Sequence, residues 1–375
     1  MSRDIIYTMK LLERKGIFTK FFPTPNFLVE RATGVDISDS SVRFVELADT
    51  KYGEIPFKFG EHLLQEGIIV NGDIQNVDAL AEELKKIKEK NNLNFIRASL
   101  PEEKVYLFRT HIPEDIEKKQ IRSILEFKLE EYVPISPKEA VFDYEIINNQ
   151  KENLQGHTDV SVAVYTKNTV EKYFAAFDKA GLTPLSFEVE TQAITRSVVR
   201  YNDDGIYMII DFGKTRAGLA IIDKCVLSFT STFKIDGRIL ARVIKESHDI
   251  SEDNINQIKN EYGLIKNKNN KELFSAFMNI AEQLKDNIDK HYKYWKTRVD
   301  ETGKRVSPIE KIILCGGNSN LAGLPEYLSG SLKVPVERAN VWVNAFSLDD
   351  FVPNMDRFQS LSYATAIGLV LRDVN

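Results

Sequence analysis

The sequence predicts a mixed α/β protein built from two like domains, and three observations lead to this prediction. The chain has 375 residues, too many for one compact core and enough for two or three domains. Strands and helices follow one another from Gly34 in the β-β-α-β order of a mixed sheet covered by helices. An apolar strand that ends at an aspartate and continues through a polar turn into a second strand occurs at Asp36 and again at Asp211. One such element in each half of the chain indicates two domains that face each other.

Composition excludes several classes of protein. With 43% hydrophobic and 28% charged residues, the chain matches ordinary soluble proteins. Its net charge of −5 argues against a nucleic-acid-binding protein, because such proteins bind phosphates through excess Lys and Arg. The two cysteines form no CxxC motif, and we find neither an apolar run long enough to span a bilayer nor a signal peptide. We therefore expect a cytoplasmic protein that does not bind nucleic acid.

Residues 1–33 stand apart from the rest of the chain. The stretch IIYTMKLLERKGIFTKFF has apolar residues at helical spacing mixed with basic ones, and it ends at the helix breaker Pro23-Thr-Pro25. We favour a short helix docked on the main body. The alternative is a helix at a membrane surface, formed by residues 1–22.

The segments that follow Gly34 can be read in order. A helix begins after Asn76, an N-cap candidate, and FIRASL is predicted to be a buried strand. Residues 101–158 read as strand, helix and strand with polar ends, the outline of a small inserted subdomain. The apolar strand DVSVAVYT then resumes the larger pattern, followed by a helix with Gly181 as its C-cap, a strand at 184–188 and a helix at about 191–200.

The two aspartate turns predict a phosphate site. Asp36 and Asp211 are each followed, two residues on, by a small residue, Ser38 or Gly213. Small turn residues let backbone N–H groups approach phosphate oxygens, and two carboxylates from opposite walls suit a hydrated Mg²⁺. Gly213-Lys214-Thr215 is not the end of a Walker A loop, because that motif requires glycine where Met208 stands.

A third motif lies near residue 316. The strand Ile312–Cys315 runs into Gly316-Gly317, and a helix begins at about Leu324-Pro325. Paired glycines at the carboxyl end of a strand allow a flat group to lie against the backbone, at the edge where α/β sheets bind ligands. The five histidines lack zinc-ligand spacing, and neither GxSxG nor GxGxxG occurs.

In this order, the three motifs resemble the phosphate-one, phosphate-two and adenosine motifs of the actin-like ATPases. A closer resemblance, to the PilM family of type IV pilus assembly proteins, runs from about Pro23 to the C-terminus. It lies in EGIIVNGDIQNVDALAEELKK, ASLPEEKVYLFRTHIP, ILEFKLEEYVPISPKEAVFDYEII, AFDKAGLTPLSFEVETQAI and SYATAIGLVLR.

The resemblance implies an actin-like (ribonuclease H-like) fold in two lobes, with an inserted 1C subdomain of the FtsA/PilM type. The domains it implies are an N-terminal extension (1–33), a first lobe or 1A (34–100, 159–200 and 345–375), the insert (101–158) and a second lobe or 2A/2B (201–344).

The resemblance also implies a function. A PilM-like protein binds ATP in the cleft with Mg²⁺, and the departures from its motifs given below lead us to expect slow hydrolysis at most. Through a groove on its first lobe and insert it binds the cytoplasmic tail of a PilN-like inner-membrane protein. It links that partner to the pilus motor ATPases, so we expect a peripheral location at the cytoplasmic face of the inner membrane.

The resemblance assigns site residues one by one. Asp36 and Asp211 hold Mg²⁺ through water, and Glu190 or Thr191 orients water or metal, which makes Glu190 the catalytic candidate. The residues implied to bind nucleotide are Asp36, Ser38, Ser40 and Ser41 in phosphate-one, Asp211 and Gly213 in phosphate-two, Gly316, Gly317 and Asn318 in the adenosine motif, and, on weaker matches, Gly237 and Lys259.

Two departures and two alternatives accompany this interpretation. Relatives commonly have Asp-x-Gly in the first turn where this chain has Ser38, and Ile255 and Asn256 replace the Ala and Glu of an A-E-x-x-K helix. One alternative is an FtsA-like membrane tether, for which we expect a C-terminal amphipathic helix that LRDVN does not provide. The other is a small-molecule phosphotransferase, for which we find no catalytic motif.

Overall fold

The computed structural model describes residues 31–147, 157–235, 258, 260, 262–265, 271–299 and 305–373. The predicted N-terminal helix lies outside the described residues, as do Gly237 and Lys259 of the predicted site.

Strands make up most of the described chain. In chain order they are β1 (Thr33–Ile37), β2 (Ser41–Thr50), β3 (Gly53–Leu63), β4 (Ile69–Val70), β5 (Asp73–Ile74), β6 (Phe95–Leu100), β7 (Tyr106–Pro113), β8 (Ala140–Ile147), β9 (His157–Thr166), β10 (Thr183–Val189), β11 (Ile206–Phe212), β12 (Ala217–Asp223), β13 (Val226–Phe233), β14 (Lys311–Cys315) and β15 (Val336–Arg338).

Helices connect and cover these strands. In chain order the α-helices are α1 (Val77–Asn91), α2 (Lys118–Tyr132), α3 (Lys167–Lys179), α4 (Glu190–Val198), α5 (Lys271–Thr297), α6 (Leu324–Leu332), α7 (Arg357–Ser360) and α8 (Ala364–Val370). None of the helices within the described residues is long and apolar enough to cross a bilayer.

Two five-stranded sheets repeat one topology. The first has the order β3-β2-β1-β6-β10, and the second has the order β13-β12-β11-β14-β15. In each, the first three strands form an antiparallel meander, and the last two run parallel to the first strand of that meander. We call the parts of the chain built on these sheets the first lobe and the second lobe. The duplication that Asp36 and Asp211 indicated in the sequence therefore extends to whole sheets.

A third sheet forms the insert, and it corrects one predicted boundary. Strand β9 is its central strand and pairs antiparallel with β7 and β8. Val160, Val162 and Val164 of β9 belong to the core that this sheet shares with α2. The alternate residues Ala163 and Tyr165 belong to the core of the first lobe. The sequence predicts that 159–166 belongs to the first lobe, but β9 belongs to the insert, because its hydrogen-bonded partners are β7 and β8.

Local sequence explains where several helices begin and end. Asn76 caps α1, its side chain accepting a hydrogen bond from the N–H of Ala79 at 3.0 Å, as predicted. Gly181 follows α3 with φ of +71°, a left-handed conformation that glycine adopts without a Cβ clash. Leu80, Leu84 and Ile87 form the buried face of α1.

Two helices, α4 and α8, pack against each other, and α4 lies between the lobes. Helix α4 packs against both sheets, and α8 packs against α4 and against β1. A Cβ on Gly368 of α8 would lie 1.7 Å from the carbonyl oxygen of Ala193 in α4, and a Cβ on Gly34 of β1 would lie 2.0 Å from the carbonyl oxygen of Ala366. Backbone therefore meets backbone at both contacts, and glycine is required at each.

We predict that Gly368→Ala destabilises the protein by ~3 kcal/mol or more, because α8 or α4 must shift to admit the methyl group. Gly330→Ala in α6 is the matched control, since a Cβ there meets nothing within 4 Å. It should stabilise the helix by ~0.5–1 kcal/mol, because alanine has the higher helix propensity. Urea unfolding of both variants measures the difference, and equal midpoints would show that the contact between α4 and α8 is not tight.

Candidate functional site

Two equivalent turns lie at the centre of the candidate site. In the first, which joins β1 to β2, the N–H of Ser38 donates to the carbonyl oxygen of Ser41 at 2.9 Å. In the second, which joins β11 to β12, the N–H of Gly213 donates to the carbonyl oxygen of Arg216 at 3.0 Å. Because the two hydrogen bonds are equivalent, Ser38 in the first turn corresponds to Gly213 in the second, and Ser41 corresponds to Arg216. We call residues 38–41 the first turn and residues 213–216 the second turn.

The side chain of Ser38 is occupied within its own turn. Its hydroxyl donates to the carbonyl oxygen of Ser41 at 3.0 Å and accepts from the N–H of Ser41 at 3.1 Å. The hydroxyl of the buried Ser41 lies 3.3 Å from that of Ser38. The serine that replaces the more usual glycine therefore closes the first turn on itself.

One aspartate precedes each turn, and burial raises the pKa of both. Asp36 accepts a hydrogen bond from the hydroxyl of Ser99 at 2.9 Å, and burial raises its pKa against the opposing charge of Arg43. Burial and then the negative charge of Asp36 raise the pKa of Asp211 to about 6. The two carboxylates therefore interact across the boundary between the lobes.

The third motif packs directly on the second turn. Gly316 has φ of +82°, and the Oδ1 of Asp211 lies 2.3 Å from where its Cβ would be. The carboxylate of Asp211 therefore requires glycine at this position. Asn318 donates from its side-chain amide to the carbonyl oxygen of Gly213 at 2.6 Å. A Cβ on Gly317 would lie 3.0 Å from the hydroxyl of Ser362, which is close but not prohibitive.

Arg216 crosses from the second turn to the first lobe. Its guanidinium lies 2.5 Å from Glu103, 3.1 Å from Glu190 and 3.6 Å from Asp39. Only 18% of its side chain is exposed. Burial opposes the charge of Arg216, but Glu190, Glu103 and Asp39 outweigh burial and raise its pKa. This arginine thus joins three elements of the first lobe to one turn of the second.

Glu190, the predicted catalytic residue, is the first residue of α4 and is buried. Burial raises its pKa well above the usual range, while Arg216 lowers it. The neighbouring Thr191 donates to the Oε1 of Glu102 at 3.1 Å, and burial also raises the pKa of Glu102 strongly. Buried carboxylates with raised pKa values are typical of functional sites.

Sequence reasoning missed several members of this cluster, namely Ser99, Glu102, Glu103 and Arg216. The first three lie at or just after the carboxyl end of β6, a strand parallel to β1. That edge is where ligands bind in open α/β sheets, so the run SLPEE carried a usable signal. The importance of Arg216 had no local signal, because its partner Glu103 is 113 residues away in sequence.

A cavity of about 710 Å³ opens between the lobes, and both turns line it. From the turns, Asp39, Ser40, Lys214, Thr215 and Arg216 face this space. Its other walls come from six residues of the segment that follows β3, from Glu103 and Lys104, and from Thr232 and Lys234; the six are Leu64, Glu66, Gly67, Ile69, Val70 and Asn71. We call this space the cleft cavity.

Direct metal ligation is a separate question from anion binding. The ranges that the structure describes contain no group of three or more His, Cys, Asp or Glu residues placed to hold a metal ion. A cation between Asp36 and Asp211 would therefore need water or a ligand's oxygens to complete its shell.

Solved structures with the same architecture define the class of fold. A PilM-PilN type IV pilus biogenesis complex contains a chain that is 21% identical, with 92% of this chain and 99% of that chain covered and a TM-score of 0.73. The ethanolamine utilization protein EutJ from Carboxydothermus hydrogenoformans is 15% identical, with 93% and 91% covered and a TM-score of 0.53. MreB 5 of Spiroplasma citri, bound to AMPPNP, is 11% identical, with 92% and 97% covered and a TM-score of 0.51. These similarities confirm the predicted actin-like fold.

The family follows from the sequence itself. The profile of the type IV pilus assembly protein PilM family matches residues 34–374. The chain belongs to that family, as its motifs and segments predicted.

We predict that Asp211→Asn stabilises the chain at pH 8 in the presence of a chelator. An aspartate whose pKa is raised from 3.8 to about 6 by folding contributes stability below pH 4 that is lost as the pH rises through about 6. The asparagine variant avoids that loss, so it should be more stable by ~1–3 kcal/mol at pH 8 and show no gain below pH 4.

Urea unfolding at pH 4, 6 and 8 measures this pH dependence. Asp349→Asn, at an exposed position, is the control for loss of one negative charge and should change the stability by less than ~0.5 kcal/mol. A difference between Asp211→Asn and the native chain that does not vary with pH would show that burial does not perturb Asp211.

Proposed function

We propose that this chain is an ATP-binding assembly protein of the type IV pilus machinery. It binds ATP with Mg²⁺ between its lobes and binds the cytoplasmic tail of a PilN-like membrane protein. It couples that partner to the motor ATPases at the cytoplasmic face of the inner membrane. One observation carries the nucleotide part of this proposal: two equivalent turns, each preceded by a buried aspartate, line one cavity between two lobes of the same topology.

The residues of the cleft cavity fit a polyphosphate. The backbone N–H groups of Asp39, Ser40, Lys214 and Thr215 donate to no described residue and are free to bind anionic oxygens. Four cationic side chains line the same space, those of Lys104, Lys214, Arg216 and Lys234. Amides and cations on both sides of one space are the groups that bind a phosphate chain.

The two aspartates fit a hydrated Mg²⁺. The metal retains several waters and is commonly held by one or two carboxylates together with substrate phosphates, and Asp36 and Asp211 supply carboxylates from the two lobes. When bound, the ion neutralises phosphate charge. In the proposed arrangement the nucleoside lies beside Gly316, Gly317 and Asn318. These residues are next to the second turn in space, because Asn318 donates a hydrogen bond to the carbonyl oxygen of Gly213.

Glu190 is the residue we propose for orienting water, and its surroundings favour slow hydrolysis. Its carboxylate is 3.1 Å from the guanidinium of Arg216, so an ion pair competes with any role as a base. A base must also reach the proton that it removes, which requires Glu190 to leave this pair. We therefore propose binding and slow turnover, with assembly as the main task.

Partner binding can be coupled to the cleft through the insert. Arg109 of β7 lies 3.3 Å from Asp223 at the end of β12, and Ser161 of β9 donates to the carbonyl oxygen of Leu227 at 2.8 Å. The insert therefore contacts the second lobe as well as the first. A ligand that changes how the lobes meet also changes this contact, and it shifts peptide affinity if the two arrangements bind the peptide differently.

Two structures support the proposal by analogy. The MreB 5 structure contains AMPPNP, and the PilM-PilN complex pairs a chain of this fold with PilN. Since the family is established over residues 34–374, a PilN-like tail is the partner class that we propose.

We predict that the chain binds MgATP and that MgATP changes its affinity for a peptide copying the cytoplasmic tail of the PilN-like partner by ~5-fold or more. Asp36→Asn keeps the shape of the side chain but removes the charge, so ATP affinity should fall ~10-fold or more in the presence of Mg²⁺. Isothermal titration calorimetry measures both effects.

Asp349→Asn is the control, because it removes a negative charge at an exposed position in the first lobe. It should leave both affinities unchanged. Equal peptide affinity with and without MgATP, together with unchanged ATP affinity in Asp36→Asn, would rule out the proposed mechanism.

A further inference from the structure

The guanidinium of Arg216 has contacts that a phosphate chain can replace. We infer that Arg216 is an exchangeable latch between the lobes. Its guanidinium joins them through ion pairs with Glu103 and Glu190. A polyphosphate that binds in the cleft cavity pairs with the guanidinium in their place and so releases both carboxylates. This inference rests on the proposed nucleotide site, and it adds a residue that senses whether that site is filled.

The ion pairs of Arg216 divide its guanidinium between two carboxylates. Nη1 lies 2.5 Å from Glu103, and Nη2 lies 3.1 Å from Glu190. Guanidinium groups bind most strongly when two parallel N–H groups meet two oxygens of one group, as a phosphate allows. The pairing within the protein is therefore weaker than the pairing that a phosphate offers.

Glu103 is itself incompletely satisfied. Its Oε2 is buried, and no described residue donates a hydrogen bond to it. A buried carboxylate oxygen without a donor is costly, which makes the pair with Arg216 a poor competitor. Release of Glu103 toward water would end this penalty.

Position separates Arg216 from the other cations of the cleft cavity. Lys214 and Lys234 are exposed, and exposed ion pairs contribute little, while Lys104 adjoins Glu103 in the chain and so cannot join the lobes through it. Arg216 is largely buried and belongs to the second turn, while its carboxylate partners come from the first lobe. It is therefore the cation of this lining whose change of partner alters the contact between the lobes.

The exchange has a consequence for Glu190. While Arg216 holds it, the carboxylate of Glu190 cannot act on water. A polyphosphate that binds Arg216 removes the charge that lowers the pKa of Glu190, so burial then favours the protonated carboxyl group, which is also a poor base, and turnover stays slow.

Binding of MgATP to four chains tests the exchange: the native chain, Glu103→Gln, Arg216→Gln and the double variant. Arg216→Gln should weaken binding ~10-fold, because a phosphate contact is lost. Glu103→Gln should strengthen binding ~3-fold, because the competitor for Arg216 is removed. In the double variant the gain from Glu103→Gln should disappear, since no guanidinium remains to be released. Isothermal titration calorimetry measures each Kd.

Asp349→Asn is the control for charge, because Asp349 is exposed and lies outside the lining of the cleft cavity. This substitution should change the Kd for MgATP by the same factor in the native chain and in Arg216→Gln. If Arg216→Gln does not fold, Arg216→Lys replaces it in the test. Lysine keeps the charge but lacks the two parallel N–H groups of the guanidinium, so Glu103→Gln should raise the MgATP affinity less in this background than in the native chain.

Each outcome decides a different point. A native chain that does not bind MgATP overturns the proposed function and this inference with it. A native chain that binds MgATP, while Glu103→Gln binds no more tightly or gains equally in both backgrounds, overturns the latch and leaves the nucleotide site standing.

Discussion

The packing of α4 against both sheets determines how closely the lobes approach each other. At Gly34 and Gly368 the backbone of one element lies against the backbone of the next, with no space for a single methyl group. These contacts fix α8 and α4 on the first lobe, and α4 also packs against β12 and β13 of the second lobe, so the lobes have a defined separation. That separation places the turn after β1 and the turn after β11 on the walls of one cavity, and it brings Glu190 at the start of α4 within reach of Arg216.

Charge in the cleft follows from this packing. Asp36, Glu102, Glu190 and Asp211 are held where burial raises their pKa values, a condition that disfavours the folded state at neutral pH. Arg43 and Arg216 offset part of that penalty. Proteins commonly tolerate such unfavourable clusters where a ligand binds, because a bound cation or a polyphosphate with its metal completes the balance of charge. The same arrangement explains why a buried arginine crosses between the lobes.

Much of the fold could be predicted from the sequence, because its signals are local. The apolar strands ending at Asp36 and Asp211, the N-cap Asn76 and the left-handed Gly181, which follows the C-cap Ala180, each act within a few residues, and the structure has these features within one residue of where they were expected. Strand β9 was assigned to the wrong unit because both of its faces are buried, so its apolar pattern does not reveal which sheet it joins.

The site could be predicted only in part. The turns and their aspartates were found because the motif occurs twice. The contact between Arg216 and Glu103 was missed because it joins residues far apart in sequence, and tertiary packing alone creates it. The orientation of the Ser38 side chain could not be predicted from the sequence either. Its hydroxyl makes hydrogen bonds to the backbone carbonyl and N–H groups of Ser41, and these depend on the exact shape of the turn.

The central claim is that the two turns hold a polyphosphate between them and that Arg216 changes partner when they do. A crystal structure of the chain with Mg²⁺ and a non-hydrolysable ATP analogue tests it most directly. We expect the phosphates to lie between residues 38–41 and 213–216, with the guanidinium of Arg216 on phosphate oxygens and away from Glu103. Phosphates bound elsewhere, or an Arg216 still paired with Glu103 and Glu190 beside a bound polyphosphate, would contradict the account.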